Sequence, residues 1–214
     1  MHKVFFCLLI FNFFTLDYNA LAKDLTIQDL KKIQSKLKEA DSLTVDFEQD
    51  NYTALRNRHK ISKGIAYFHK PESFRWAFSE PNRIEWIYDG KSFIKYFPNE
   101  KKGEKFSVGS NQGDEYRQIV DMVMNIETLL AKYDMIKAEQ LEQVVLVRLN
   151  PKNKDGEITS VNLTIDLKKQ FVSSVKLFFR GKNHTMVTFM SPRREKLGKN
   201  IFMAPKDVKI IKVL

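Results

Sequence analysis

"FRWAFSEPNRIEWIYDGKSFIKYF" (residues 74–97) decides the fold. It holds eight aromatic residues, including both tryptophans of the 214-residue chain. Phe74, Trp76 and Phe78 alternate with Arg75, Ala77 and Ser79. Ile84, Trp86 and Tyr88 alternate with Arg83 and Glu85. A period of two predicts antiparallel strands with one apolar face. Asp89-Gly90 predicts a two-residue hairpin loop, because both positions tolerate positive φ. That loop would set Trp86 opposite Phe93 as a cross-strand aromatic pair. Burying each large apolar side chain is worth roughly 1.5–3 kcal/mol, so this face must find an interior. A flat sheet roofed by helices and a curled sheet enclosing a cavity share this periodicity, and both readings stay open at this point.

The alternation continues on both sides. Upstream, Val45 and Phe47 alternate with Thr44, Asp46 and Glu48, and Ile65 and Tyr67 with Gly64, Ala66 and Phe68. Downstream, strands are predicted over residues 133–138, 144–149, 158–167, 171–179, 185–189 and 208–213, about ten in all. Pro71, Pro81 and Pro98 fall between strands, where a missing N–H does no damage. Two stretches read as helix instead. "TIQDLKKIQSKLKEA" (residues 26–40) carries Ile27, Leu30, Ile33 and Leu37 at helical spacing, with Thr26 as N-cap and Asp29 three residues on. "GDEYRQIVDMVMNIETLLAKY" (residues 113–133) spaces Ile119, Met122, Val123, Ile126, Leu129 and Leu130 by three and four, with a break predicted near Asn125. Ten strands without βα alternation predict a sheet curled toward a barrel, with helices at its mouth or over one face.

The first 22 residues stand outside this domain. A basic start precedes an apolar run from Val4 to Leu16, too short for the roughly 20 residues of a membrane span. Ala20-Leu21-Ala22 then supplies a small-x-small cleavage pattern, so residues 1–22 read as an export signal cut after Ala22 and residues 23–214 as one domain. The only cysteine, Cys7, falls inside the signal. The exported product would therefore have no disulfide, thiolate nucleophile or cysteine metal ligand. The chain carries a formal charge of +10, spread over residues 56–60, 101–105, 152–154 and 193–199. Export argues against nucleic acid as the partner, and anionic membrane surfaces or acidic proteins suit the charge better.

Catalytic signatures are missing from the sequence. His59, His69 and His184 form no metal-spaced pair, and there is no H-E-x-x-H, G-x-S-x-G or glycine-rich phosphate loop. The acid pairs Asp114/Glu115 and Asp155/Glu157 lie in polar, turn-like stretches. The chain reads as a non-enzyme.

Taken in order, a set of residues resembles one known family. Phe47 and Gln49, then Gly64, then Lys70-Pro71 with Phe74 and Trp76, then Pro81, Asp89-Gly90, Tyr96 and Pro98 keep the order and spacing of the periplasmic outer-membrane lipoprotein carriers, the LolA family. The match spans about 50 residues; the C-terminal half resembles the family only in its strand-rich layout. The resemblance implies an unclosed antiparallel β-barrel with a helical lid over a hydrophobic cavity for acyl chains. It implies a monomeric periplasmic carrier that takes lipoproteins from an inner-membrane ABC-type release complex to an outer-membrane acceptor, without chemistry or cofactor. The expected cavity lining is Phe47, Phe68, Phe74, Trp76, Phe78, Ile84 and Trp86 on the sheet, with Met122, Met124, Ile126 and Leu129 on the lid. Well-known members carry arginine before the proline, where it tethers the lid. Lys70 stands there in this chain, a flexible point charge in place of a planar fork, and is the expected latch; His69 beside it is a second candidate. The departure and the unmatched C-terminal half leave room for a periplasmic carrier of another lipid or lipid-linked metabolite; an envelope sensor domain is a further alternative, from a different class.

Overall fold

The computed structural model describes residues 22–37, 41–70, 73–106, 114–124 and 126–213. The signal-peptide reading and its cleavage site therefore lie outside the described residues, apart from Ala22. A two-residue strand β1 (Lys23–Asp24) leads into helix α1 (Ile27–Leu37). The helix starts where predicted: the Thr26 hydroxyl accepts the Asp29 N–H at 3.2 Å, and the Asp29 carboxylate accepts the Thr26 N–H at 3.0 Å. That is a reciprocal capping box. These bonds hold the Asp29 carboxyl below its ordinary pKa.

Six strands follow: β2 (Ser42–Thr53), β3 (Arg58–His69), β4 (Ser73–Glu80), β5 (Ile84–Tyr88), β6 (Phe93–Phe97) and β7 (Lys102–Phe106). Helices α2 (Asp114–Met124) and α3 (Ile126–Lys132) then interrupt the sheet; the predicted break near Asn125 lies outside the described residues. Strands β8 (Tyr133–Leu141), β9 (Val144–Pro151), β10 (Ile158–Asp166), β11 (Phe171–Phe179) and β12 (His184–Arg193) return to it, and β13 (Lys209–Lys212) ends it. All thirteen form one sheet in the order β1-β8-β9-β10-β11-β12-β2-β3-β4-β5-β6-β7-β13. Neither β1 nor β13 pairs with the other, so the curled sheet is left unclosed.

Three predictions need correction. The loop between β5 and β6 has four residues, not two, because Tyr88 pairs with Phe93. Asp89 Oδ1 accepts the main-chain N–H groups of Lys91 and Ser92 at 2.8 and 2.7 Å, and this side-chain turn outcompetes the tight two-residue hairpin. Trp86 therefore lies opposite Lys95, whose Nζ sits 5.3 Å from the indole centroid. The two-residue offset preserves the face, so Trp86 still stacks on Phe93 diagonally, 5.1 Å apart and 21° from parallel. On β3 the inward residues are Gly64, Ala66 and Phe68, while Ile65 is exposed. The pairings of Phe47 with Gly64 and of Val45 with Ala66 fix this phase. Finally, β13 runs parallel to β7, so the sheet is antiparallel except at that edge.

The close approach of β4 dictates Gly64. A Cβ there would lie 2.0 Å from the Ala77 carbonyl oxygen and 2.9 Å from the Phe47 ring. The close approach coincides with an irregularity in the β3–β4 register between Lys63 and Gly64.

The outer face carries a second, smaller core. Phe202, in a 3-10 turn (Lys199–Phe202), is buried and stacks on His69 at 5.8 Å. Ile87 and Tyr96 are buried as well and stand outside the main apolar cluster. Arg75 holds the turn in place, with Nη1 donating to the Ile201 carbonyl at 3.1 Å and Nε to Glu85 Oε2 at 2.9 Å. His69, half-buried, accepts or donates one bond with the Ser42 hydroxyl at 2.8 Å. Its ring therefore belongs to the outer face, which removes it as a lid latch.

Candidate functional site: an apolar interior between sheet and helices

The cross-strand register arranges the concave face in rows. One runs Leu149, Val161, Leu177, Thr185, Asn51, Lys60, and the next runs Val147, Leu163, Val175, Val187, Gln49, Ser62. The following rows run Phe189, Phe47, Gly64, Phe78, Ile84, then Val45, Ala66, Trp76, Trp86, Lys95, then Leu43, Phe68, Phe74, Tyr88, Phe93, Phe106. The wall is thus aliphatic on β9–β11 and mainly aromatic on β4–β7. Alternation along each strand puts one residue of every pair on this wall.

The aromatic rings interlock at angles that favour edge contacts over face-to-face stacking. Trp76 is the hub, lying 4.7 Å from Phe47, 6.1 Å from Phe68 and 5.8 Å from Phe189. Phe78 meets Phe47 edge-on at 5.1 Å. Phe74 joins Tyr88 and Phe93 at 5.6 and 5.9 Å.

The helices close over this wall. Leu30 of α1, Ile119, Val120 and Met122 of α2, and Leu129 of α3 are buried in the same continuous cluster as the concave face. Val123, Met124 and Leu130 pack against it half-buried. Polar ties fasten α2 and α3 on the β8–β9 side. The Tyr133 hydroxyl, at the start of β8, donates to Gln118 Oε1 at 2.9 Å. Burial, with Asp121 nearby, pushes that phenol up to about 12. Lys132 Nζ reaches Asp121 at 3.0 Å, and Lys152 Nζ donates to the Leu130 carbonyl at 2.9 Å. A Lys152 main-chain N–H also bonds the Lys132 carbonyl at 3.0 Å. These bonds satisfy carbonyls that the end of α3 would otherwise leave open.

The expected lining residues fall as follows. Phe47, Phe68, Phe74 and Trp76 are fully buried on the concave face, and Met122 and Leu129 face them from the helices. Phe78, Ile84 and Trp86 lie half-buried toward one end of that face, and Met124 is half-buried on α2. The Ile126 side chain lies outside the described residues. Lys70 follows β3, half-buried, and its main-chain N–H donates to the Asp41 carbonyl at 2.9 Å. Sequence reading assigned no lining role to Phe189, Phe93, Phe106 or the aliphatic wall of β9–β11. The alternation of Val145, Val147 and Leu149, and of Val161, Leu163 and Ile165, carried that signal. Among the described residues, no helix is long and apolar enough to cross a membrane, and no cluster of three or more His, Cys, Asp or Glu could hold a metal ion.

The chain is thus an unclosed curled sheet around an apolar interior, with helices packed over its concave face. The model for the family described as "Outer membrane lipoprotein carrier protein LolA" matches residues 38–204, and the chain belongs to that family. A protein named outer-membrane lipoprotein carrier protein, from Francisella tularensis, is 30% identical over 98 residues. That match covers 42% of this chain and 44% of the relative, so the chain spans under half the length of the curated relatives it matches. Among solved structures, an uncharacterized conserved protein from Thermus thermophilus superposes with a TM-score of 0.54 at 10% identity, covering 87% of this chain and all of that one. MucB superposes with a TM-score of 0.51 at 13% identity, covering 86% and 66%. At these identities the likeness concerns the fold alone.

Proposed function

We propose that this protein is a periplasmic carrier that holds the acyl chains of lipoproteins between the concave sheet face and helices α2 and α3, and moves them from the inner to the outer membrane. One observation carries the reading: a single apolar cluster joins an unclosed sheet to helices that short polar ties fasten on the β8–β9 side. Family membership supports it. Packing between sheet and helices is mainly non-directional, so α2 and α3 can lift as a unit and repack on acyl chain. Met122 and Met124 suit that task, since unbranched thioethers adapt to varied shapes. Each buried CH₂ is worth about 0.8 kcal/mol. Three fully buried chains would exceed the roughly 18–21 kcal/mol at which observed affinities saturate. The cargo is therefore held incompletely buried, as release at the acceptor requires. The carrier performs no chemistry and needs no cofactor. Its partners are the lipoproteins, the inner-membrane release complex and the outer-membrane acceptor.

Lys70 serves in this reading as the lid latch. Replacing it with leucine should raise hydrogen exchange in residues 114–132, and unchanged exchange would remove the role. The function itself is tested by incubating the protein with spheroplasts that retain newly made lipoproteins. Release of acylated lipoprotein into the soluble fraction, in a 1:1 complex, is expected. Release of free phospholipid alone would instead favour a carrier of another lipid.

A further inference from the structure

The concave face is not apolar throughout. Its first two rows end in Thr185, Asn51 and Lys60, and in Gln49 and Ser62. Gln49 is 2% exposed. Its Nε2 donates to Asn51 Oδ1 at 3.1 Å, and the Thr185 hydroxyl donates to the same oxygen at 2.8 Å. Gln49 Oε1 is buried with no hydrogen-bond partner. A buried acceptor without a partner is unusual and destabilising.

Gln49 lines a cleft of about 180 Å³ whose apolar floor is Phe78, Ile84 and Trp86. That floor continues into the main interior, because Phe78 and Trp86 pack against its cluster. Two cations flank the cleft. Lys60 is exposed at the rim, and Lys95 is half-buried, its Nζ over the rings of Trp86 and Phe97 at 5.3 and 5.1 Å. Neither has a carboxylate within ion-pair reach among the described residues. Glu80 is the one carboxylate on the cleft wall, exposed at its edge.

We propose that this cleft binds the net-anionic, hydroxyl-bearing headgroup of a phospholipid whose acyl chain runs over Phe78 and Trp86 into the interior. Lys60 and Lys95 meet the phosphate, and Gln49 Oε1 accepts a headgroup O–H. The volume suits a headgroup and is too small for the acyl chains, which the apolar floor directs inward. Charge supplies the selection: a zwitterionic headgroup of equal chain length brings no net anion to the two lysines. The proposal rests on the acyl-binding reading above and adds a headgroup preference to it.

Calorimetric titration of residues 23–214 with single-chain lysophosphatidylglycerol and lysophosphatidylcholine, below their micellar concentrations, tests it. Lysophosphatidylglycerol should bind about five- to tenfold more tightly, in line with two partly solvated ion pairs. In Lys60→Gln/Lys95→Gln the ratio should fall to about one, and Lys60→Gln alone, at an exposed position, should reduce it partway. Gln49→Met should weaken lysophosphatidylglycerol binding about threefold through the lost hydrogen bond. Equal binding of both amphiphiles by the unaltered protein, or a preference that survives in the double variant, would overturn the headgroup site and leave acyl binding standing. Glycerol phosphate binding as tightly as the lysolipid would overturn it too, marking a site for the free phosphate ester. Binding of neither amphiphile would overturn both the acyl-binding reading and the site built on it.

Discussion

Arg75→Met should destabilise the fold by about 3 kcal/mol while leaving the concave face in place. Arg75 and Glu85 stand diagonally across β4 and β5 on the outer face, with side chains 21% and 12% exposed. Methionine keeps the apolar stem and removes the guanidinium. Glu85 is then left largely buried without its cation. Breaking a fully buried pair costs about 3–5 kcal/mol, and partial exposure here brings that to about 2. Losing the Nη1 bond to the Ile201 carbonyl adds about 1 kcal/mol. For a domain of this size, each kcal/mol moves the midpoint by about 2–4 °C, giving a fall of about 6–12 °C in thermal unfolding. Adding Glu85→Gln should recover part of the loss, because the stranded charge is gone. Hydrogen exchange should rise in residues 199–212, whose turn Arg75 anchors. A loss under 1 kcal/mol, or strict additivity of the two substitutions, would refute the view that this pair clamps the C-terminal segment to the sheet.

Tyr133→Phe removes the hydroxyl that ties α2 to β8; stability should drop about 1 kcal/mol, and amides of residues 114–124 should exchange faster while those of β2–β4 do not. Gly64→Ala forces a Cβ against the Ala77 carbonyl and the Phe47 ring, so urea unfolding should report a loss of about 3 kcal/mol; a neutral outcome would mean that β3 and β4 separate freely there. Burial and the neighbouring Lys176 hold His184 below its ordinary pKa of 6.5. The unfolded chain therefore takes up that proton first as pH falls, so the contribution is full above pH 6.5 and declines below it. His184→Gln should flatten the stability profile between pH 7 and 5, and an unchanged slope would place the titration elsewhere.

Much of this architecture was legible because strand periodicity is a local property. Trp76 and Phe78 announced an inward face, and the pairing of Val45 and Phe47 with Ala66 and Gly64 confirms it. The period alone could not phase β3, where Ile65 and Phe68 are both apolar and only the neighbouring strand decides between them. The β5–β6 register escaped for a related reason: Asp-Gly suits a tight hairpin, yet the Asp89 carboxylate captures two main-chain donors and widens the loop. β7 went unread because "KGEKF" is polar and basic, and its place in the sheet comes from Phe93 opposite Phe106 and from the parallel strand beside it. The outer core under Phe202 depends on Arg75 meeting a residue 126 positions away. No local pattern encodes such a contact. Gln49 shows the same limit: the sequence marks it only as part of a family motif, and the burial of its unpartnered carbonyl oxygen depends on contacts made across the sheet.

The central claim is that the interior between the sheet and α2–α3 receives acyl chains. Native mass spectrometry of residues 23–214 mixed with a synthetic triacylated lipopeptide, and separately with the same peptide lacking its acyl groups, tests it most directly. The account predicts a 1:1 complex with the acylated peptide and none with the bare one. Absence of a complex with the acylated peptide, or equal binding of both, would show that Phe47, Trp76 and Met122 form a closed core and nothing more.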